Sequence, residues 1–188
     1  KPVDGGNLIL LTEEKNDLVF KYPETIKYIK KLIGSADFIN GNVRYCLWIP
    51  DNELETALLC PIIQKRVNKT REMRLSSPDS GARKLALKPH QFREFNECDN
   101  NTLIIPSTSS ERREYIPMGF ADTNTVITNS NYSVSNATLT LFGIVTSKMQ
   151  MIWMKAIGGR LKSDYRYTSL VYNTFPFPEI SEEKKKEI

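Results

Sequence analysis

Three charged side chains alternate with hydroxyl-bearing residues in the stretch 158–178, GGRLKSDYRYTSLVYNTFPFP. Lys162, Asp164 and Arg166 are each separated by one residue, so an extended backbone would place all three charges on one side. Lys and Arg donate hydrogen bonds to guanine O6 and N7, and Asp accepts one from cytosine N4. The stretch is therefore a candidate for reading base edges in DNA. The alternative is an exposed strand with a solvated charged face.

Positive charge is concentrated in one part of the chain. The net charge is +4, yet residues 61–93 contain nine Lys/Arg against two acids, Glu72 and Asp79, which gives this segment +7 and the remainder −3. Such asymmetry favours an anionic partner, although a basic run can also be a solvated face. Within it, the apolar spacing from Pro61 to about Leu75 predicts an amphipathic helix whose basic outer surface could lie beside a DNA backbone.

Five long strings carry a resemblance to a known family. They are GGNLILLTEE (5–14), FINGNVRYCLWI (38–49), LIIPSTSSERREYIPMGF (103–120), FGIVTSKMQMIW (142–153) and GRLKSDYRYTSLVYNTFPFP (159–178). In this order they resemble the target-recognition domain of MmeI-like enzymes. These are single-chain adenine-N6 DNA methyltransferases of the type IIL/IIG restriction–modification class, usually fused to an endonuclease. The resemblance covers most of the chain.

The resemblance implies roles for particular residues. In the family, the two variable positions of GRL-x-S-x-YRY read one base pair, and here they are Lys162 and Asp164. Arg166 would read a neighbouring pair. Ser107, just after a predicted strand, and Asn129 with Ser130, in a later polar loop, match segments that face the DNA. For Asn129, a turn asparagine that bonds to its own backbone is an equally open interpretation.

The DNA backbone would be contacted by Lys and Arg, which fix register without reading sequence. The candidates come from the basic segment and from the loop 107–113, which the resemblance places beside the DNA: Lys65, Arg66, Lys69, Arg71, Arg83, Lys84, Arg112 and Arg113.

Catalytic motifs are absent from the sequence. An amino-methyltransferase needs a glycine-bearing loop for S-adenosylmethionine and an Asn/Asp-Pro-Pro-Tyr/Phe loop for the flipped adenine, and neither occurs. No PD-(D/E)xK nuclease pattern is evident, and Ser109–Glu111 has no nearby histidine to activate a nucleophile. Cys46, Cys60 and Cys98 with the single His90 suggest neither a disulfide framework nor a zinc site. We expect no catalytic residue, metal or cofactor in this chain, with S-adenosylmethionine bound elsewhere in a parent enzyme.

The composition, 188 residues that are 40% hydrophobic, suits one compact domain. From the order of the local patterns we expect an α+β fold with short mixed β-sheets and packed helices. We assign residues 1–178 to the target-recognition domain and 179–188 to the charged start of a following segment. No apolar run approaches the ~20 residues that span a bilayer, and no signal-peptide pattern is present. Buried free thiols in a reducing cytoplasm are the expected state of the cysteines.

Local patterns predict the elements. In the first half we expect a strand over 7–11, a turn at Glu13–Glu14 capped by Thr12, and a helix from Pro23 through Leu32. A hairpin-type turn at Asn40–Gly41 should lead into a buried strand over 43–49 that contains Trp48. Helices over 53–59 and 61–75 should follow, and then a loop over Ser76–Arg83 that could be disordered without DNA. In the second half we expect strands over Thr102–Pro106, Tyr115–Phe120, Val126–Thr128 and Leu139–Ile144, and a helix capped by Thr146 or Ser147 that runs to about Ile157. Its inward face would be Met149, Ile152, Trp153, Ala156 and Ile157.

The sequence thus predicts a specificity module that recognises double-stranded DNA and positions the methyltransferase domain of the same parent chain over its target adenine. Two alternatives remain open at this point. One is a non-catalytic protein-interaction domain, and the other is a nucleic-acid-binding module without sequence preference.

Overall fold

The structure is a computed structural model and describes residues 2–94 and 97–185. The chain folds into two compact units, each with a hydrophobic core of its own. The first comprises Lys1–Ile33, Asn42–Asn96 and Asn124–Thr128, and the second comprises Gly34–Gly41, Glu97–Thr123 and Asn129–Ile188. The stretch assigned to a single domain therefore contains two cores.

The elements are short and mixed in type, which confirms the predicted α+β class with short mixed sheets. The strands are β1 Ile9–Leu10, β2 Ile29–Ile33, β3 Arg44–Leu47, β4 Thr102–Pro106, β5 Thr108–Ser109, β6 Gly119–Ala121, β7 Thr125–Ile127, β8 Asn131–Val134, β9 Gly159–Leu161 and β10 Asp164–Arg166. The α-helices are α1 Thr12–Lys21, α2 Ser35–Asn40, α3 Leu54–Ala57, α4 Pro61–Leu75, α5 Ser80–Lys84, α6 Leu139–Val145, α7 Lys148–Ile157, α8 Ser169–Asn173 and α9 Glu182–Lys185. Short 3-10 helices span Pro23–Tyr28, Asp51–Glu53 and Leu85–Leu87.

The first unit is built on a four-stranded sheet of order β1-β3-β2-β7, in which only β2 and β7 run parallel. Its strands share a core with Ile63 and Val67 of α4. Trp48 is buried there with its ring 6.0 Å from that of Phe92, as predicted for a core residue. Cys46 and Cys60 are buried free thiols, and burial raises the pKa of Cys46 to about 12.

Arg74 is an unusual core residue of this unit, since its side chain is 0% exposed. Its guanidinium donates to four backbone carbonyl oxygens: Val3 at 2.7 Å, Leu85 at 2.8 Å, Lys88 at 2.9 Å and Gln91 at 2.6 Å. Burial lowers the pKa of Arg74 and the charge of Asp4 partly offsets this. A guanidinium with five fixed donors can satisfy several buried carbonyls at once, so Arg74 fastens the chain on both sides of α4.

The second unit contains two three-stranded antiparallel sheets, of order β6-β4-β8 and β5-β10-β9. Strand β4 is buried at every residue, as its continuous apolar sequence predicts. The core of the second unit is formed by Leu103 and Ile105 of β4, Val145 of α6, Met151 and Met154 of α7, Tyr167 after β10, and Val171 of α8.

Several element predictions are confirmed. The helix α4 has the predicted bounds, β4 has the predicted bounds, and α7 begins after Ser147, whose Oγ accepts a hydrogen bond from the Gln150 amide at 3.2 Å. Gly158 follows the last residue of α7.

The predicted helix from Pro23 through Leu32 is wrong beyond Tyr28. Residues Ile29–Ile33 form β2, which pairs with β3 on one side and β7 on the other. Two ladders of sheet hydrogen bonds outweigh a helical spacing of isoleucines. The Asn40–Gly41 pair is not a hairpin turn either, because Gly41 adopts φ 68° and ends α2.

Two further helices lie where the sequence predicts a turn or a loop. Helix α1 replaces the turn at Glu13–Glu14; the Glu14 carboxylate accepts from the Leu11 amide at 2.9 Å, so the helix begins without a Ser/Thr/Asp/Asn cap. Helix α5 lies within the loop predicted for Ser76–Arg83, and the Asp79 carboxylate caps it by accepting from the Gly81 amide at 2.9 Å.

The predicted strand Leu139–Ile144 is helix α6. A short apolar run is compatible with a strand or a helix. Here Thr138 favours the helix, because its Oγ1 caps the first turn by accepting a hydrogen bond from the Leu141 backbone amide at 3.1 Å. The predicted inward face of α7 is also wrong, since Met149 is 64% and Ile152 55% exposed. Gln150 faces inward instead, because its Nε2 donates to the buried Tyr167 hydroxyl at 2.9 Å.

The single histidine of the chain supports a prediction on pH dependence. His90 is buried, its Nε2 lies 2.9 Å from Asp51 Oδ1, and its buried Nδ1 has no hydrogen-bond partner among the described residues. Burial lowers the pKa of His90 despite the neighbouring carboxylate. The unfolded chain then binds the proton more readily, so the free energy of unfolding falls as pH drops from about 7 to 5, by at most about 1.4 kcal/mol per pH unit.

Chemical denaturation across this range would measure the slope. His90→Gln keeps a donor toward Asp51 and does not titrate, so it should flatten the profile. An equal slope in the variant would show that another group is responsible.

Candidate nucleic-acid interface

The charged stretch around Lys162 forms a β-hairpin. Strands β9 and β10 pair with Leu161 opposite Asp164 and Gly159 opposite Arg166. Lys162 and Ser163 form the two-residue turn between them. The predicted alternation is therefore wrong for Lys162, which lies at the tip, while Asp164 and Arg166 share one face of β10. Lys162 and Arg166 are exposed and Asp164 is half-buried.

Lys162 adopts a left-handed backbone conformation with φ 58°. This conformation costs a non-glycine residue about 1–2 kcal/mol, and a hairpin tip of this kind favours Gly, Asn or Asp. Turn stability therefore does not account for a lysine at this position, and the strained backbone suggests the hypothesis that its side chain has a function.

Two hydrogen bonds bring the other predicted base-reading segments to this hairpin. The Ser107 amide donates to the Ser130 carbonyl at 3.0 Å, and the Tyr167 amide donates to the Ser107 carbonyl at 2.9 Å. Strand β5, which follows Ser107, pairs with β10 so that Thr108 lies opposite Arg166. Segments that are 23 to 60 positions apart in sequence thus converge at one place in the second unit.

Ser130 and Asn129 differ in their surroundings. The Ser130 hydroxyl oxygen accepts from the Ser35 amide at 2.9 Å, and the Ser35 hydroxyl donates to the Ser130 carbonyl and, at 3.0 Å, to Asn131 Oδ1. These contacts anchor the segment after β7 on the start of α2. Asn129 is exposed, so it is the residue of this pair whose side chain faces solvent.

The hairpin rests on a buried tyrosine. Tyr167 is 1% exposed, and burial raises the pKa of its hydroxyl to about 12. With Gln150 donating to this hydroxyl and its own amide donating to Ser107, the residue after β10 is fixed to the core. Side chains that recognise a ligand need supporting contacts of this kind to hold their geometry.

In the first unit, the basic candidates divide into exposed and engaged side chains. Lys65, Lys69 and Arg71 on α4 are exposed, and the two lysines, one helical turn apart, line a surface pocket of about 470 Å³ with Gly5 and Gly6. Arg66 is engaged: it donates to the carbonyls of Asn7 at 3.0 Å and Ile9 at 3.1 Å and pairs with Glu14. We therefore assign Arg66 a structural role and remove it from the phosphate candidates.

The remaining basic candidates are exposed. Arg83 donates to the carbonyls of Ser77 and Pro78, both at 2.8 Å, and so also closes the segment before α5. Lys84 is exposed on α5. In the second unit, Arg112 and Arg113 are exposed in the loop after β5.

Some residues that hold the candidate segments in place have no signal in the sequence. Ser35, which holds Ser130, is 95 positions away from it, and no local pattern links the two. Glu111 and Arg160, which pair at 3.0 Å beside the hairpin, are likewise 49 positions apart. Glu111 and Arg160 do lie within two of the strings that carry the family resemblance, 103–120 and 159–178, whereas Ser35 lies in none of them.

Within the described ranges 2–94 and 97–185, no cluster of three His, Cys, Asp or Glu residues could hold a metal ion. Over the same residues, no helix has the length and apolar character needed to cross a membrane.

The second unit thus presents charged and amide side chains from short strands and turns that its own core supports. The family model described as "MmeI, target recognition domain" matches residues 1–179. The chain belongs to this family, which confirms the resemblance found in the sequence.

Two relatives support the assignment. DNA methyltransferase A of Bacillus subtilis (strain 168) is 47% identical over 188 residues, which are 100% of this chain and 21% of that protein. The solved structure of the type IIL restriction–modification enzyme MmeI in complex with DNA superposes with a TM-score of 0.92 at 39% identity, covering 99% of this chain and 25% of that one. This chain thus spans about a fifth to a quarter of the length of these relatives and corresponds to the target-recognition domain that the family model describes.

Proposed function

We propose that this chain reads the base sequence of double-stranded DNA in the major groove and directs the chemistry of a longer parent protein to one site. The observation that carries the proposal is the convergence of Lys162, Asp164 and Arg166 with the segments of Ser107 and Asn129. Membership of the target-recognition family supports it.

The hairpin has a chemical preference for one base pair. Lys162 can donate to guanine O6 or N7, and Asp164 can accept from N4 of the cytosine paired with it. On the reversed pair, the lysine would face a donor and the aspartate an acceptor. Arg166, two residues on and on the same face as Asp164, would read a neighbouring guanine. Asn129 suits adenine N6 and N7, and Ser130 and Ser107 would also face base edges from the two segments that meet at the hairpin.

Phosphate contacts would come from the exposed basic residues of each unit. These are Lys65, Lys69, Arg71, Arg83 and Lys84 in the first unit and Arg112 and Arg113 in the second. Such contacts supply affinity and register without sequence preference.

The parent protein would be an S-adenosylmethionine-dependent adenine-N6 DNA methyltransferase, with or without an endonuclease, working on cytoplasmic DNA. The methyltransferase relative and the restriction–modification relative support this assignment. The cofactor and the catalytic loop would belong to the methyltransferase domain of that parent chain, and this domain would supply specificity alone.

Selection from a random pool of duplexes tests the proposal against its alternatives. The full-length protein that carries this chain should enrich one short site containing a guanine–cytosine pair. Unselective retention of the pool would indicate a nucleic-acid-binding module without sequence preference, and no retention would favour a protein-interaction domain.

Phosphate binding by α4 leads to a separate prediction. Lys65→Ala with Lys69→Ala should weaken binding to selected and random duplexes alike, because phosphate contacts are independent of sequence. The slope of log affinity against log salt should become shallower by about 1.8, at about 0.9 for each phosphate that the protein no longer neutralises. Titrations at several salt concentrations would measure this.

The control is Lys21→Ala with Lys148→Ala, which removes two exposed lysines outside the basic segment. Equal slopes for the two double variants would move the phosphate-binding face away from α4. Arg71→Ala, on another side of the helix, would then show which side is used.

A further inference from the structure

Arg160 connects three parts of the second unit. Its Nη1 donates to Glu111 Oε2 at 3.0 Å and to the Ser163 carbonyl oxygen at 2.9 Å. Its guanidinium carbon lies 4.6 Å from the centre of the Tyr165 ring, directly across the β9–β10 ladder. We call Glu111, Arg160 and the Ser163 carbonyl the hairpin clamp.

The clamp acts on the backbone between the two predicted readers. Ser163 follows Lys162, whose φ is 58°, and precedes Asp164. Fixing the Ser163 carbonyl therefore fixes the peptide plane that determines how far apart the lysine and the aspartate are held. A second cation, Lys155 Nζ, lies 5.6 Å from the same Tyr165 ring and adds to the support of β10.

Glu111 connects the clamp to a loop outside the hairpin. It lies in the loop that follows β5, the same loop that carries Arg112 and Arg113. An acidic side chain next to these arginines would repel a phosphate unless its charge is compensated, and Arg160 compensates it. The ion pair thus ties the loop to the hairpin and occupies a guanidinium that could otherwise bind a phosphate.

The clamp contributes little to fold stability. The Arg160 and Glu111 side chains are 52% and 45% exposed, and exposed pairs of this kind have small effects on folding. Nη1 of Arg160 donates to two acceptors, and the flat face of its guanidinium lies over the Tyr165 ring. These contacts are explained by a role in fixing the geometry of the hairpin tip.

We propose that Arg160 is a positioning residue for base reading, which holds Lys162 and Asp164 at the spacing of one guanine–cytosine pair while Glu111 restrains it from binding phosphate. The inference rests on the proposed function and adds to it the residues that determine how accurately one base pair is recognised.

Two variants separate geometry from charge. Arg160→Lys keeps the positive charge but loses the planar fork, so preference for guanine–cytosine over cytosine–guanine at the pair read by Lys162 should fall about tenfold, within the range that one base contact provides. Affinity for a random duplex should stay within about twofold, since the number of phosphate contacts is unchanged. Glu111→Gln should lower the same preference and at the same time increase affinity for random duplexes, because it frees Arg160.

Binding of the full-length protein to matched duplexes that differ at this pair would give both quantities, and melting temperatures would confirm that the variants fold. Glu114→Gln is the matched control: it removes an exposed acid of the same loop that lies outside the clamp. It should leave the base preference intact.

Preference within twofold of wild type in both variants would overturn this inference and leave the proposed function standing. A wild-type protein that binds without any base preference would overturn both, since the clamp would then have nothing to position.

Discussion

Changing Lys162 to Glu and Asp164 to Arg together should convert guanine to cytosine at one position of the recognition site and leave every other position as it was. The double change exchanges donor and acceptor at the hairpin, so each side chain then suits the opposite base of the pair. The hairpin is held by Tyr167 and by the pairing of β10 with β5 and β9, so the backbone should present the new side chains in the same place. Selection from a random duplex pool would reveal the change directly.

Each single change should be worse than the double. It leaves one charged group against a base edge of the wrong polarity, and each correct contact is worth about 1–3 kcal/mol of discrimination. Binding to the original site should fall by about 5- to 150-fold for either single variant. An unaltered site in the double variant, or preference lost at several positions together, would show that these residues do not read a base pair.

Replacing Arg74 with Met should destabilise the first unit more than any exposed substitution in the chain. Methionine fills a similar volume but leaves the carbonyls of Val3, Leu85, Lys88 and Gln91 without their donor. A buried unsatisfied acceptor costs about 1–3 kcal/mol, and we expect a total loss of about 3–5 kcal/mol after relaxation. The melting temperature should fall by roughly 6–20 °C.

Thermal melting and amide exchange of residues 85–91 would measure the effect of Arg74→Met. Arg71→Met is the matched control, since it places the same side chain on the exposed side of α4. A melting temperature for Arg74→Met equal to that of the control would contradict the role we give to this guanidinium.

The sequence predicts elements whose signals are local. Helix α4 has apolar spacing and a proline at its first position, and β4 is a continuous apolar run, so both have the predicted bounds. The strand predicted for Leu139–Ile144 is wrong because the only local helix signal is one capping hydroxyl, that of Thr138, before an apolar run that suits a strand equally well. The helix predicted through Leu32 is wrong over residues 29–32 because these residues pair with β3 and with β7, and Val126 of β7 lies 94 positions after Leu32.

For the candidate site, residue types were predictable and geometry was not. Lys162, Asp164 and Arg166 stand out by charge, but that Lys162 is at a hairpin tip depends on pairing between β9 and β10. The engagement of Arg66 by Asn7, Ile9 and Glu14 is equally invisible in a linear charge count. The contacts of Ser35 with Ser130 and of Glu111 with Arg160 join residues 95 and 49 positions apart, so the composition does not reveal them.

The central claim, that Lys162 reads a guanine in the major groove, is tested most directly by changing single atoms of the base. In the selected site, the guanine assigned to Lys162 would be replaced by 7-deazaguanine, which lacks N7, and separately by inosine, which lacks only the 2-amino group in the minor groove. We predict that binding falls by about tenfold with 7-deazaguanine and is unchanged with inosine, since O6 and N7 are the major-groove acceptors. Full binding to the 7-deazaguanine duplex together with weakened binding to the inosine duplex would contradict this claim.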